Sequence, residues 1–418
     1  MIQIRLTQGQ RRQVIFSSIL MAIILVVISG CREQSPEVVE SANLQLTQTS
    51  IFYDALLTAT FSVAEAEVAS STPLPPEPTA TPSSSPTLIP PTPEGTPLPL
   101  TGFQTNFLAT GVDSKSYLED TCSYLQQRWD PENSQPGTVV MPVMFHAIMD
   151  DSKEILDSMH VNKKGYYDLV INAHSNDFEV ITSQQLSDFL YHNAKIPQRS
   201  MILIVDDRHK EAYFREFFLP YYDEYGWIVT NAWISTPLSS EDLWQQQIKM
   251  AGEGYVDYQA HGVEHNIPIR DYDSNQTITS DTYGTLPADE YIFHEINDPI
   301  SIYQERFGIR PIAFIWPGGG FGVKGVNVAR EAGYQVGFTV FDRGPLMFNW
   351  IPLGEDEQAV NDPLLVLPRF WSSSAVYRME EVIQISEEAM TFASQNRQQE
   401  LDWYKIYCPH YPPISIAE

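Results

Sequence analysis

The sequence predicts an α/β fold in which a parallel sheet closes into a barrel, and three observations lead to this class. Short apolar runs alternate with amphipathic stretches across residues 139–395, as they do where helices cover parallel strands. The number of these units suits a barrel better than a small open sheet. Polar side chains directly follow two of the apolar runs, and barrel active sites lie at that end of the strands.

Apolar runs define the predicted strands, while Ser or Thr caps and terminal glycines define the helices. In the first half we expect strand 139–145, helix 183–192 capped by Thr182 or Ser183, strand 201–205, a helix from about 210 to Gly226, strand 227–234, a helix from about Ser239 to Gly254, and strand 256–260. In the second half we expect a polar insertion at 266–287, a long helix ending at Gly308 and interrupted by Pro299, strand 312–316, a glycine-rich turn at 318–320, a helix ending at Gly333, strands 335–340 and 364–370, and a last helix at 379–395.

Residues 1–31 predict an exported lipoprotein. Arg5, Arg11 and Arg12 precede an apolar core at 14–28 that is short for a membrane span. The small residues before Cys31 resemble a bacterial lipobox, in which the cysteine is acylated. We therefore expect a protein anchored by lipid to the bacterial cell membrane, with its domain on the extracytoplasmic side. The alternative is an uncleaved signal anchor with an incidental cysteine.

Residues 32–101 predict a linker, and residues 102–418 predict one folded domain. The linker is rich in Pro, Thr and Ser from about residue 71, a composition that favours extended polyproline II and makes a semi-rigid stalk. The remaining length is enough for a single large α/β domain with a full core.

The charge balance limits the partners of the protein. The chain has 25 Lys and Arg residues against 53 Asp and Glu residues, a formal net charge of -28. This excess argues against nucleic acid and against adsorption on anionic lipid, so we expect membrane attachment through the amino-terminal lipid only. Of the 3 cysteines, Cys122 and Cys408 stand near the ends of the folded domain. Outside the cytoplasm they are a candidate disulfide, with their geometry left open.

Two aspartates and two histidines form the strongest functional signal. Asp206 and Asp207 end one apolar run, while His261 ends another and His265 follows four residues later. One carboxylate and two imidazoles are a three-ligand set that leaves a fourth position open to water, as hydrolytic zinc sites do. The spare carboxylate can take a proton from that water.

These motifs resemble those of the polysaccharide deacetylases, the NodB-homology group of carbohydrate esterases. Ile-Val-Asp-Asp at 204–207 is similar to the family's Thr-Phe-Asp-Asp, and His-Gly-Val-Glu-His at 261–265 to its His-Ser/Thr-x-x-His. Trp-Pro-Gly-Gly at 316–319 loosely resembles Tyr-Pro-Tyr-Gly. The resemblance spans roughly residues 138–395. It implies a distorted (β/α)₇ barrel that removes N-acetyl or O-acetyl groups from glycans with a divalent metal.

The resemblance also implies roles for individual residues. Asp206 would be the general base, and Asp207, His261 and His265 would hold one divalent metal ion, by default zinc. His146 ends the sequence Pro-Val-Met-Phe-His. The order of the motifs along this chain resembles that of the exported poly-N-acetylglucosamine deacetylases most. In that group a histidine ahead of the Asp-Asp motif is the general acid, a role that the resemblance implies for His146.

The remaining implied residues concern substrate. Trp316, Pro317 and Gly318 would shape the substrate site, with the Gly318 N–H available to an oxyanion. Arg369 stands where the family often has a late Pro-Arg. The sequence departs from the family at Gly262, where a small hydroxyl residue is usual, and at Gly318, where an aromatic is usual.

We therefore expect a monomeric, metal-dependent hydrolase that deacetylates a polysaccharide substrate at the cell envelope. Arg208 and Gly318 leave open a barrel that binds glycan without cleaving it. A structural stalk protein and a metal hydrolase for another amide or ester are further alternatives. His209 is a rival ligand beside Asp207.

Overall fold

The computed structural model describes residues 102–155, 157–265 and 276–415. The predicted export signal, Cys31 and the linker lie outside the described residues, and they stay predictions. Within the described part of the chain, no helix has both the length and the apolar character needed to cross a bilayer.

Strands and helices alternate along most of the described chain. The strands are β1 (Asp113–Lys115), β2 (Val139–Phe145), β3 (Ala147–Met149), β4 (His160–Asn162), β5 (Glu179–Val180), β6 (Arg199–Asp206), β7 (Val229–Trp233), β8 (Val256–Ala260), β9 (Thr277–Ser280), β10 (Gly284–Pro287), β11 (Ala313–Ile315), β12 (Val336–Phe338), β13 (Ile351–Leu353) and β14 (Phe370–Trp371). The helices are α1 (Thr121–Trp129), α2 (Lys163–Ser175), α3 (Ser183–His192), α4 (Glu211–Phe217), α5 (Leu219–Tyr225), α6 (Glu241–Glu253), α7 (Ala288–Phe307), α8 (Val323–Ala332), α9 (Glu355–Ala359) and α10 (Ala375–Tyr407).

The main sheet is parallel and curls into a barrel. Its strand order is β12-β11-β8-β7-β6-β2-β14, with the short β5 beside β6. The segment before β14 lies along β12, because Thr339 N donates to Leu367 O at 2.9 Å and Leu367 N donates to Gly337 O at 2.7 Å. Its continuation, Phe370–Trp371, pairs with β2. One irregular segment therefore joins the two edges, and the predicted distorted (β/α)₇ barrel is confirmed.

Burial on both faces explains the sequence of the central strands. All seven residues of β2 are buried, and so are all residues of β6 after Arg199. Parallel strands covered by helices read as continuous apolar runs, which is why these two strands could be located from sequence. Of the two cap candidates in the sequence, Thr182 is the one that caps α3, through a capping box with Gln185.

Four predicted elements differ from the structure. The helix predicted at 210–226 is two helices, because Pro220 lacks an N–H and begins a new helix after a break at Phe218. In contrast, Pro299 does not interrupt α7, whose buried face holds the helix across the missing hydrogen bond. The strand predicted at 364–370 is extended only at Phe370–Trp371, after a 3₁₀ turn at Pro363–Leu365. The last helix is longer than predicted, since it packs on α1 near its end.

A disulfide joins Cys122 of α1 to Cys408, the residue after α10. Beside it, the Glu400 carboxylate accepts hydrogen bonds from Arg128 Nε at 3.0 Å and from Trp129 Nε1 at 2.6 Å. The ends of the folded domain are therefore held together covalently and by a partly buried ion pair. In the predicted polar insertion, β9 and β10 form a hairpin.

Candidate active site

Strand register places His146 beside Asp206. Phe145 of β2 lies opposite Val205 of β6, so the next residue of each strand emerges at the same end of the barrel. His146 Nε2 is 3.7 Å from Asp206 Oδ2. The His146 ring stacks on Trp371, with centroids 6.2 Å apart. A residue about sixty positions upstream in the chain thus reaches the aspartate pair, as the sequence argument requires.

Asp207, His261 and His265 converge at the same end of the barrel. Among the described residues, they form a group whose potential ligand atoms all lie within 4.8 Å of one another. His265 Nε2 is 3.6 Å from Asp207 Oδ1. Asp207 and His265 both have left-handed backbone conformations, at φ 74° and 58°. Such conformations are costly outside glycine and are concentrated at functional sites.

The hydrogen bonds of His261 leave one ring nitrogen free for a ligand. Its Nδ1 lies 2.8 Å from Ile315 O, and a carbonyl can only accept, so Nδ1 carries the proton. Its Nε2 is buried and has no hydrogen-bond partner in the described part of the chain. Burial lowers the pKa of His261 to about 4, against the opposing charge of Asp206, so the ring is neutral at neutral pH. A buried lone pair without a partner is costly, and a divalent metal would satisfy it. The two imidazoles and one carboxylate therefore fit a zinc-type site.

Arg369 is buried behind Asp206, and its burial gives no support to the substrate role expected from the sequence. The side chain is fully buried, and its guanidinium binds Asp206 through both nitrogens, at 2.7 and 2.9 Å. Arg369 Nε also donates to Thr339 O at 2.6 Å. Burial alone would raise the pKa of Asp206, but the charge of Arg369 and its hydrogen bonds hold that pKa well below its usual range. Arg369 is the group that keeps the candidate base ionised and oriented.

The indole of Trp316 is buried in the core and donates to Leu365 O at 2.7 Å, so its position does not support the expected contact with substrate either. Pro317 is buried as well. Gly318 is exposed at φ 57°, on the turn that follows β11. Of these three residues, Gly318 alone presents its backbone to solvent, so it stays the candidate for an oxyanion contact.

His209 lies outside the ligand group. Its ring stacks on Tyr213, with centroids 4.1 Å apart, and burial lowers its pKa. Its position therefore does not support the rival ligand assignment.

The sequence argument missed Glu295, a buried acid near the middle of α7. Its carboxylate accepts hydrogen bonds from Val263 N at 3.2 Å and Glu264 N at 2.8 Å, between the two histidines. Burial raises the pKa of Glu295 to about 7, despite the opposing hydrogen bonds from those backbone groups. The signal available in the sequence is an acid flanked by apolar residues on the buried face of a helix.

The model of the polysaccharide deacetylase family matches residues 193–337. This stretch contains the two aspartates and both histidines, while His146 and Arg369 lie outside it. The barrel and the convergent site are those of a hydrolase. The resemblance seen in the motifs is confirmed over residues 193–337, and this match supports a deacetylase.

Several solved structures are similar to this one. They include the Streptococcus pyogenes deacetylase PplD in complex with acetate (16% identity, 59% of this chain and 98% of that chain, TM-score 0.45). A de-N-acetylase from Aggregatibacter actinomycetemcomitans is 14% identical over 58% of this chain and 99% of that chain, with a TM-score of 0.43. IcaB from Ammonifex degensii is 13% identical over 60% of this chain and 97% of that chain, with a TM-score of 0.42. The search of curated proteins finds no match.

Proposed function

We propose that this protein removes acetyl groups from an N-acetylated polysaccharide, with one zinc ion bound by Asp207, His261 and His265. The observation that carries the proposal is the Nε2 atom of His261, which is buried and has no hydrogen-bond partner among the described residues. His261 belongs to a group of three potential ligands. When bound, the metal supplies a Lewis acid that lowers the pKa of water and polarises the acetyl carbonyl.

Asp206 is the base in this proposal. Its carboxylate takes one proton from the attacking water, whose oxygen bonds to the acetyl carbon. Both Asp206 oxygens bind Arg369, yet each retains a further lone pair for this proton. The guanidinium stays in place throughout, so the carboxylate does not need to reorient during the reaction.

His146 is the acid in this proposal. The carbon–nitrogen bond breaks as His146 gives its proton to the leaving nitrogen, because an amide nitrogen leaves poorly without one. His146 Nε2 and Asp206 Oδ2 are 3.7 Å apart, which supports a proton donor and a proton acceptor at the same end of the barrel. The products are acetate and a glycan amine.

The proposed location is the cell envelope. Residues 1–31 support export and lipid attachment at Cys31, and the stretch up to residue 101 supports a stalk between membrane and domain. We propose that the domain works there as a monomer on an acetylated glycan. The net charge of -28 favours a product that carries new ammonium groups, an attraction screened beyond about 8 Å at physiological salt.

Acetate release from a panel of N-acetylated and O-acetylated glycans tests the proposal. Release from an N-acetylated glycan, loss of release in chelator and recovery with added zinc are the expected results. Binding of glycan without acetate release, in protein loaded with zinc, would favour the glycan-binding alternative. Release that is unaffected by chelator would contradict the metal assignment.

A further inference from the structure

The loop between the two histidine ligands is held by hydrogen bonds from three other segments. This loop, residues 261–265, has left-handed backbone at Gly262 (φ 75°) and at His265 (φ 58°). Ser235 donates to Gly262 O through both its backbone N and its Oγ, each at 3.0 Å. The loop therefore depends on outside partners for its shape, because it belongs to no helix or strand of its own.

Glu295 supplies the partners for the next two residues. Its Oε2 accepts from Val263 N at 3.2 Å, and its Oε1 accepts from Glu264 N at 2.8 Å. Glu295 is fully buried on α7. Burial removes the Glu295 carboxylate from water, and its two backbone hydrogen bonds offset part of the cost of that desolvation.

Gly262 makes the space that the Glu295 carboxylate occupies. A Cβ atom at Gly262 would lie 2.6 Å from Glu295 Oε2, closer than real contacts allow. Polysaccharide deacetylases usually have a small hydroxyl residue at the position of Gly262. In this protein the space for that side chain is occupied by the Glu295 carboxylate from α7. The Glu295 carboxylate can therefore lie here only because residue 262 has no side chain.

Glu264 fixes the far side of the loop. Its Oε1 accepts from Ser280 Oγ at 2.8 Å and from Thr282 N at 2.6 Å, both in the β9–β10 hairpin. Burial raises the pKa of Glu264, but its several hydrogen bonds together outweigh burial, so the pKa lies below its usual value. The loop is therefore anchored to α7 by its backbone and to the hairpin by a side chain.

We propose that Glu295 is a positioning residue for the metal centre, one that holds His261 and His265 in their ligand geometry through the backbone of the loop between them. The inference rests on the proposed metal-dependent function. It adds a residue outside the three ligands and outside the proton-transfer pair, and it explains why Gly262 is compatible with a metal site.

The test compares zinc affinity in full-length variants by competition with a coloured chelator. Glu295→Gln keeps the shape but leaves one acceptor oxygen for two N–H groups, so zinc affinity should fall about 10–100-fold. Visible absorption of the Co²⁺-loaded protein should change as well, because it reports ligand geometry. Glu357→Gln is the matched control, since Glu357 is equally buried but pairs with Arg343 at 2.7 Å. Its zinc affinity should stay within about twofold of wild type, as expected for a site remote from the ligands.

Gly262→Ala approaches the same contact without altering Glu295. In the wild-type background, the new Cβ should displace the carboxylate and lower zinc affinity about as much as Glu295→Gln. In the Glu295→Ala background, the same change should have a smaller effect, because the clash is gone and only the cost of an alanine in left-handed backbone at φ 75° remains. Unfolding temperatures measured in chelator for wild type, Gly262→Ala, Glu295→Ala and the double variant should show the same dependence: Gly262→Ala should lower the temperature less when Glu295 is already Ala.

The outcomes separate the inference from the function on which it rests. If wild type binds zinc and releases acetate while Glu295→Gln binds zinc equally well, the inference fails and the proposed function stands. Equal effects of Gly262→Ala in both backgrounds would also overturn it. If wild type binds no zinc, the proposed function fails and takes the inference with it.

Discussion

Replacing Arg369 with Met should destabilise the protein strongly and in a pH-dependent way. Arg369 and Asp206 are both buried, with exposed side-chain fractions of 0% and 2%. Removing one partner of a buried pair leaves an uncompensated charge, which costs about 3–5 kcal/mol. At roughly 2 °C per kcal/mol for a large domain, Arg369→Met should lower Tm by about 6–10 °C at neutral pH.

The pH dependence follows from the direction of the Asp206 pKa shift. In wild type this pKa lies below its usual range, so the ionised carboxylate contributes stability above about pH 4, the unfolded value, and loses it as pH falls through the folded pKa. In Arg369→Met the burial remains and the guanidinium is gone, so the pKa of Asp206 should rise. The deficit in Tm should therefore shrink as the pH is lowered towards about 5.

Thermal unfolding in chelator, measured between about pH 5 and 8, is the assay. Arg343→Met is a matched control, because Arg343 pairs with Glu357 but is 27% exposed, so its loss should be smaller. The double variant Asp206→Leu/Arg369→Met should be less destabilised than Arg369→Met, since no charge is left buried. A double variant as unstable as the sum of the two single changes would refute the reasoning.

Three further outcomes concern roles in catalysis and anchoring. Asp207→Asn should lose zinc, whereas Asp206→Asn should keep zinc and lose acetate release by about 10²–10⁴-fold. Metal analysis combined with the acetate assay distinguishes the two variants. Near wild-type release in Asp206→Asn would contradict its role as base. His146→Ala should nearly abolish release from an N-acetylglucosamine oligomer but spare an aryl acetate, whose leaving group needs no proton; equal losses would point to a structural role. Cys31→Ser should abolish partition into detergent, and an unmodified Cys31 in processed protein, seen by mass spectrometry, would exclude lipidation.

The sequence predicts the site well where local pattern alone fixes position. Apolar runs locate β2, β6 and β8, and the direction of a parallel strand dictates that residues after its last apolar position emerge at one end of the barrel. His146, Asp206 and His261 follow from this rule. Their convergence needs no detailed side-chain packing, only strands that lie parallel and in register.

Tertiary contacts explain what the sequence could not show. Arg369 reaches Asp206 across 163 residues, through a closing segment whose pairing with two different strands has no periodic signature. Trp316 follows a short buried strand, and a shift of one residue decides whether a side chain faces the core or the mouth. The role of Glu295 becomes visible only once its hydrogen-bond partners are known, because an acidic residue on a helix usually faces solvent.

Zinc titration of acetate release is the most direct test of the account. Protein stripped of metal should release no acetate from an N-acetylglucosamine oligomer, and release should rise with added zinc to a plateau near one equivalent per chain. The His261→Ala/His265→Ala double variant should stay inactive at every zinc concentration, because Asp207 alone cannot hold the ion. Full activity in stripped wild-type protein, or zinc-dependent activity in the double variant, would contradict a metal centre built from Asp207, His261 and His265.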